Sequence, residues 1–368
     1  MTASPSGLSQ NLARPGQHSD PWGRYYTSAD VSRSLIERIE VREPKLVVEL
    51  GSGFGALCSA AANRWHQAQL ITVDVDRQAQ KRLDAERVGL TLRHSHFVHD
   101  ALDEALSDRI GLQLGTVDVA VCNPPYIRPR WRSDFGKILE DAGLSGSLAS
   151  LHDAGADLLF LAQNLRLLRR DGKLGLILPD GLVTAERFRG VRHTLLRQHM
   201  VEQVIQLPRG VFKGTEAQTY LAVLSKMAGE TDHVKLRQMK HDGNVSEAFE
   251  VPQDLAAKRL DYTYHARPSV QRTSSTHKPI SVGSAVTEIM RGAVCSSAIS
   301  TFPVQVFHLG DFAEPSGNEI VRIVPKRFAL GKRAASIAAR NARLAQPGDI
   351  LLARVGRGLV DERGRRRS

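Results

Sequence analysis

Short apolar segments alternate with stretches of helical periodicity between residues 45 and 225. Residues 45–49, 69–73 and 117–122 are nearly uninterrupted apolar runs, which is typical of strands in a parallel sheet that is covered on both faces. Residues 57–65 repeat apolar side chains at helical spacing. The alternation predicts an α/β fold with a doubly wound, mostly parallel sheet. It also predicts strands over 92–98, 172–178, 201–207 and 219–224, and helices over 31–39, 78–88, 156–168 and 188–199.

The composition excludes several classes of protein. With 42% apolar and 24% charged residues, the chain is neither disordered, collagen-like nor a coiled coil. No apolar run reaches the roughly 18 residues of a membrane helix, and no secretory signal is visible at the N-terminus. The cysteines Cys58, Cys122 and Cys295 have neither metal-ligand nor disulfide-framework spacing. We therefore expect a cytoplasmic protein without a membrane association.

Charge and turn signals suggest three parts. Residues 1–21 are rich in Pro, Gly and Ser, and we interpret them as a flexible arm. Residues 22–266 contain the α/β pattern, and the boundary falls near Arg267, before a polar linker. Residues 267–368 form a basic region, and most of the net charge of +11 lies at its end. Such a localised basic surface is expected of a protein that binds nucleic acid, although a solvated tail has the same composition.

A glycine-rich loop follows the first predicted strand and precedes a helix. Gly51, Gly53 and Gly55 would let a ligand approach the backbone, and Asp74 ends the next strand, where a carboxylate can accept hydrogen bonds from ribose hydroxyls. Glu49 stands immediately before the loop. Its charge would repel a pyrophosphate but attract a cationic amino-acid group, which favours S-adenosylmethionine over a dinucleotide. A tight turn without a ligand is the alternative.

The tetrapeptide Asn123-Pro124-Pro125-Tyr126 ends the strand that begins at residue 117. Two prolines restrict the backbone and remove two N–H donors, so their carbonyls are fixed acceptors. The Asn123 side chain adds another acceptor, and Tyr126 adds a flat face for stacking. This arrangement suits a planar group with an NH2 nitrogen. A rigid turn without chemistry is the alternative.

The same motifs resemble those of class I S-adenosylmethionine-dependent amino-methyltransferases. The glycine loop, Asp74, His99-Asp100 and Asn-Pro-Pro-Tyr occur in this order in two families. One family is the gamma-class DNA adenine-N6 methyltransferases of restriction-modification systems, and the other is the glutamine-N5 methyltransferases that modify release factors. The resemblance implies a Rossmann-like methyltransferase fold.

Flanking motifs favour the gamma class. The residues from Gly23 to Thr27 resemble its upstream cofactor motif, with Ser28 in place of the usual proline, and later segments around residues 174–182, 204–212 and 219–226 resemble its later motifs. The glutamine-N5 enzymes are shorter and begin with a helical domain. The resemblance covers residues 22–266.

The resemblance also implies roles for individual residues. Tyr26 and Thr27 would lie near the cofactor, Asp74 would bind its ribose, and Asp100 would bind its adenine amino group. Asn123 and the Pro124 carbonyl would accept the hydrogens of a flipped adenine, which Tyr126 and Phe212 would stack against. Core packing is the alternative for Phe212. No metal is implied, and we expect His94 and His96, which alternate on one strand, to face solvent or bond to the backbone.

Within residues 267–368, the segments Ile289–Gly292 and Gln346–Gly356 resemble, more weakly, the start of a target-recognition domain of type I specificity subunits. The resemblance predicts a smaller α+β DNA-recognition-like domain that is either truncated or dependent on a partner. Taken together, the sequence predicts a site-specific DNA adenine-N6 methyltransferase that binds double-stranded DNA, with a specificity or restriction subunit as a possible partner. A glutamine-N5 protein methyltransferase and a catalytically idle DNA-binding subunit are the alternatives.

Overall fold

The structure, a computed structural model, describes residues 27–79, 83, 93–212, 215, 217–266 and 284, and the backbone of residues 301–306 and 326–329. The chain divides into two compact units, Met1–Gln271 and Arg272–Ser368. In the second unit, β10 (Thr301–Val306) pairs antiparallel with β11 (Lys326–Ala329).

Within the described residues, nine strands of the first unit form one sheet in the order β3-β2-β1-β4-β5-β7-β6-β8-β9. The first five strands along the chain are mutually parallel, and β7 runs antiparallel to β5 and β6 on its two sides. Strand β8 is parallel to β6, and β9 is antiparallel to β8. The strands are β1 (Leu46–Leu50), β2 (Gln69–Asp74), β3 (His94–Val98), β4 (Val117–Cys122), β5 (Leu168–Pro179), β6 (Met200–Gln206), β7 (Thr219–Ser225), β8 (His233–Gln238) and β9 (Phe249–Pro252).

Helices cover both faces of this sheet. Because side chains alternate along a strand, Val47 of β1 joins one apolar cluster and Val48 joins the other. Helices α1 and α2 pack into the cluster of Val47, whereas α4, α5 and α7 pack into the cluster of Val48. The described helices are α1 (Ala29–Glu37), α2 (Ala56–Arg64), α3 (Leu106–Arg109), α4 (Asp134–Asp141), α5 (Ala156–Leu167), α6 (Asp180–Thr184), α7 (Arg189–Gln198), α8 (Gln253–Lys258) and α9 (Tyr262–His265), with short 3₁₀ turns at Ser145–Ser147, Leu151–Asp153 and Glu186–Phe188.

The order of the strands reverses between β1 and β4, which are adjacent and parallel. Ligands of open α/β sheets bind in the crevice at the carboxyl ends of the strands at such a point. The glycine loop leaves the carboxyl end of β1, and Asn123 follows the carboxyl end of β4. The fold therefore places the two motifs side by side.

Arg192 of α7 is fully buried and bonds only to backbone carbonyls among its described contacts. Its guanidinium donates to the carbonyls of Leu182, Ala185, Ala257 and Lys258 at 2.7–3.0 Å. Burial lowers the pKa of Arg192 to about 10, so the side chain is still charged at neutral pH. These bonds join α7 to the carboxyl ends of α6 and α8.

The structure confirms the predicted α/β class and its doubly wound sheet. It also extends the sheet beyond the expected elements, because β8 and β9 lie in the region after residue 230, where the sequence shows only short, irregular signals. The predicted arm of residues 1–21 lies outside the described residues, as do most of the predicted helix 78–88 and most of residues 267–368. No helix in the described part of the chain has the length and apolarity of a membrane span.

Candidate functional site

The glycine loop is a tight turn that is bonded to the end of β2. The N–H groups of Gly51 and Ser52 both donate to the Val73 carbonyl, at 2.8 and 3.2 Å. Gly55 has a φ of +79°, and a Cβ on it would lie 2.3 Å from Leu83 Cδ2. Both the backbone conformation and the space therefore require glycine at the point where α2 begins.

Asp74 also holds this turn. Its Oδ2 accepts the Gly53 N–H at 2.7 Å, and its Oδ1 accepts the Asp76 N–H at 2.8 Å. The residue is 5% exposed. Each carboxylate oxygen can accept a further hydrogen bond, so Asp74 can hold the loop and still bind ribose hydroxyls.

Glu49 lies beneath the loop with its carboxyl buried. Burial raises the pKa of Glu49 well above its usual range; the Cys58 backbone N–H opposes this shift, and the nearby Asp74 charge adds to it. Within the described residues, Glu49 Oε2 and the buried Ser52 Oγ have no hydrogen-bond partner. A buried acceptor without a partner is costly. An ammonium group of a ligand would satisfy Glu49, so the acceptors at this turn fit the amino-acid end and ribose of S-adenosylmethionine.

Asn123 is held by side chains on both sides of its amide. Its Nδ2 donates to Thr27 Oγ1 at 3.0 Å, and Tyr126 donates from its hydroxyl to Asn123 Oδ1 at 3.3 Å. Thr27 reaches this position because Ser28 caps α1, where its hydroxyl accepts the Val31 N–H. The amide oxygen of Asn123 therefore faces the Tyr126 hydroxyl.

Asp100 is fixed by an arginine that sequence reasoning missed. Arg132 Nη1 lies 2.6 Å from Asp100 Oδ2, and its Nη2 donates to the Leu102 carbonyl at 2.6 Å and to Asp134 Oδ2 at 3.2 Å. The Leu102 N–H donates to Asp100 Oδ1 at 2.9 Å. Asp100 thus stands at the carboxyl end of β3 with both oxygens engaged, and each keeps capacity for one more donor.

Phe212 was predicted to be a site residue, whereas Phe160 was not. Phe212 is 3% exposed and packs into the apolar cluster that contains Val47, so its stacking role stays a prediction that requires the side chain to leave this cluster. Phe160 of α5 was not expected in the site, yet its ring lies 3.2 Å from the position of a Cβ on Gly51. Its only sequence signal is an aromatic residue within a buried helix.

The remaining predicted residues are the two prolines after β4, Tyr26 and the two histidines of β3. Pro124 is buried and Pro125 partly buried at the mouth of β4, while Tyr26 lies outside the described residues. Thr72 Oγ1 lies 2.8 Å from ring nitrogens of both His94 and His96. No cluster of possible metal ligands occurs among the residues that the structure describes.

Comparisons with known proteins identify the family. The N-6 DNA Methylase family profile matches residues 10–260. The Type II methyltransferase M.XamI of Xanthomonas campestris pv. amaranthicola is 25% identical over 69% of this chain and 49% of its own length. The rRNA N(6)-adenosine-methyltransferase metl-5 of Caenorhabditis elegans is 28% identical over 41% of this chain and 61% of its own. The chain thus spans about half to three fifths of the length of these relatives.

Solved structures agree on the fold. The modification subunit of a putative type I restriction enzyme from Vibrio vulnificus is similar with a TM-score of 0.51 and 18% identity, over 60% of this chain and 48% of that chain. At this identity the similarity concerns the fold alone. The family match, however, covers more than half of the chain. The chain therefore belongs to the N-6 DNA methylase family, whose methyl donor is S-adenosylmethionine.

Proposed function

We propose that the chain is a DNA methyltransferase that transfers a methyl group from S-adenosylmethionine to N6 of a flipped adenine. The observation that supports this most directly is the bonded group of Thr27, Asn123 and Tyr126, which lies at the switch point beside the glycine loop. An oriented amide beside an aromatic ring matches an adenine, which offers an NH2 group and a flat face.

Asn123 and Pro124 have the central role in the proposed chemistry. The Asn123 side-chain carbonyl and the Pro124 backbone carbonyl accept the two hydrogens of the adenine amino group. These bonds direct the N6 lone pair toward the methyl group. Because the acceptors are already oriented, their contribution comes from positioning and electrostatics. As the N6–C bond forms, the bond between sulfur and the methyl group of the donor would break and leave a neutral thioether, and the amino nitrogen would release one proton to solvent.

Tyr126 and Phe212 are proposed to hold the adenine ring. The target N6 is paired within the duplex, so the base must leave the stack, and stacking in the pocket offsets part of that cost. Tyr126 is partly exposed next to Asn123, whereas Phe212 must first become accessible.

The donor side of the site uses the residues around the glycine loop. We assign the amino-acid end of S-adenosylmethionine to Glu49 and the glycine turn, its ribose to Asp74, and its adenine amino group to Asp100, with Tyr26 and Thr27 nearby. The bound donor supplies a methyl group on a positively charged sulfur. The chain's residues supply the orientation that brings this methyl group in line with N6.

The wider setting is also a proposal. Residues 267–368 would contact DNA phosphates and bases as a target-recognition-like domain, and a specificity or restriction subunit would complete recognition. Such a protein would act in the cytoplasm, in a restriction-modification system.

Tritiated S-adenosylmethionine and plasmid DNA provide the test. We expect the purified chain to label DNA, and digestion to nucleosides should yield N6-methyladenine alone. Asn123→Ala should lower the rate by about 100- to 1,000-fold, the scale of one lost catalytic hydrogen bond. Label in a release-factor glutamine with none in DNA would instead support the glutamine-N5 alternative.

One further acceptor and one further outcome complete the assay. Because one relative is named an rRNA methyltransferase, ribosomal RNA should be included as a separate acceptor, and labelling of RNA alone would contradict the DNA proposal. DNA binding without labelling of any acceptor, unless a partner subunit is added, would support the idle-subunit alternative.

A further inference from the structure

Residues 127–132, which we call the exit segment, follow Tyr126 directly and contain Arg128, Arg130 and Arg132 but no acidic residue. We propose that the exit segment is a DNA-backbone contact in which Arg130 binds a phosphate beside the flipped adenine. This inference rests on the proposed function. It assigns a phosphate contact to the first unit, in addition to the contacts proposed for residues 267–368.

The two outer arginines are bonded back to the protein. Arg128 Nη2 donates to the His152 carbonyl at 2.6 Å and to Asp153 Oδ1 at 3.1 Å. Arg132 is paired with Asp100 and Asp134. These carboxylates neutralise both charges. The outer arginines therefore anchor the exit segment and are not available as independent phosphate ligands.

Arg130 differs from both of its neighbours. It is exposed, and within the described part of the chain its side chain has no recorded ion pair or hydrogen bond. Arg128 and Arg132, two positions before and two after Arg130, hold the backbone, and the proline ring restricts the φ angle of Pro129 just before it. A cation presented on a fixed backbone loses little freedom on binding, which favours an anionic ligand.

The tryptophan of the segment argues for phosphate rather than base as the ligand. The Trp131 ring packs edge-on against Phe135, with centroids 5.6 Å apart, and tilted against His152 at 4.6 Å. The Trp131 ring is thus partly buried against the protein. Arg130 is left to interact with the nucleic acid, and a guanidinium can bind a phosphodiester through two parallel hydrogen bonds.

The distance along the chain from Tyr126 allows Arg130 to reach a phosphate near the flipped base. Arg130 lies four positions after Tyr126, so their Cα atoms are at most about 14 Å apart. Tyr126 is assigned to the flipped base, and a cation within this reach can contact the backbone near that base. A phosphate contact here would hold the strand while the base is out of the stack.

Matched variants of the full chain provide the test. Arg130→Gln removes the charge and Arg130→Lys retains it. Arg170→Gln is the control, because Arg170 is also exposed, has no recorded side-chain partner within the described residues, and lies near the amino end of β5, at the opposite edge of the sheet. Binding to a random-sequence DNA duplex is measured by anisotropy at several salt concentrations, and plasmid methylation gives the KM for DNA.

We expect Arg130→Gln to reduce the slope of log affinity against log salt by about 0.9, the value for one lost phosphate contact. The KM for DNA should rise about tenfold, the scale of one charge-assisted hydrogen bond, while the affinity for S-adenosylmethionine and the thermal midpoint stay the same. Arg130→Lys should recover most of both changes, and Arg170→Gln should show neither.

Two outcomes would overturn the inference in distinguishable ways. If the unmodified chain methylates DNA and Arg130→Gln has the same salt slope and KM as Arg170→Gln, the exit segment is not a DNA contact, although the proposed function stands. If the unmodified chain does not methylate DNA but labels RNA or protein, the proposed function fails and this inference fails with it.

Discussion

Replacing Gly55 by alanine should destabilise the fold by more than the same change at another glycine with the same backbone angle. Gly55 and Gly115 have φ values of +79° and +75°. At both positions the left-handed conformation costs an alanine about 1–2 kcal/mol, and at both the alanine lowers the entropy of the unfolded chain equally. The two sites therefore differ only in what the new methyl group contacts.

That contact determines the magnitude. At Gly55 the added Cβ would lie 2.3 Å from Leu83 Cδ2, whereas at Gly115 nothing lies within 4 Å. Leu83 is 2% exposed, so its methyl group can move only by displacing its neighbours, which adds about 1–3 kcal/mol. We expect Gly55→Ala to cost about 2–5 kcal/mol in the free energy of unfolding, and Gly115→Ala about 1–2 kcal/mol.

Urea unfolding monitored by circular dichroism measures both variants against the unmodified chain. The midpoints should separate while the slope of the free energy with urea stays constant, because a constant slope means that the same surface is exposed on unfolding. Equal losses for the two variants would show that Leu83 does not restrict the Cβ of residue 55, and the steric part of the argument would be refuted.

Thr27→Val should lower kcat by up to about 100-fold, the scale of a misplaced catalytic group, with a smaller effect on cofactor affinity; Thr27→Ser should restore it, and a loss of affinity alone would contradict the role in holding Asn123. Burial raises the pKa of Glu49, and a cationic ligand beside its carboxyl would lower that pKa. S-adenosylmethionine binding should therefore release protons, and its affinity should strengthen as pH rises. Calorimetry in buffers of different ionisation enthalpy tests this, and Glu49→Gln should show no release. Burial, assisted by the Lys226 charge, lowers the pKa of His199 to about 4. As the pH falls, this side chain is therefore protonated in the unfolded chain before it is protonated in the folded chain. The free energy of unfolding should therefore fall by up to about 3 kcal/mol as pH falls from about 6.5 to 4. In urea unfolding, His199→Asn should show a smaller change of this free energy with pH.

The sequence contained most of the information needed for the central sheet. Buried parallel strands are continuous apolar runs, which is why β1, β2 and β4 were predicted close to their observed bounds. The direction of β7 could not be predicted, because every residue of β7 is buried and a uniform apolar run has no signal for parallel or antiparallel pairing. Strand β8 has only six residues, and β9 has one buried residue among four, so neither forms the continuous apolar run by which the central strands were predicted.

The candidate site was predictable in its parts but not in its contacts. Glycines after a strand and an Asn-Pro-Pro-Tyr motif after another strand are local patterns, and parallel topology brings their positions to one edge. The bond between Thr27 and Asn123 joins residues 96 positions apart, and the pair of Arg132 and Asp100 joins residues 32 apart. Such partners depend on how loops pack in three dimensions, for which a single sequence has no periodic signal.

The buried Arg192 has a consequence for how ionic strength acts on this protein. Its partners are carbonyl dipoles at the ends of α6 and α8, and mobile ions in the solvent do not screen an interaction inside a dry interior as they screen surface charges. The hydrogen bonds from Arg192 to these helices should therefore persist at high salt, whereas the proposed contacts between surface arginines and phosphate should weaken. Under the proposed function, added salt should release DNA while leaving the packing around α7 intact, so the folded chain should be recoverable from nucleic acid by salt alone.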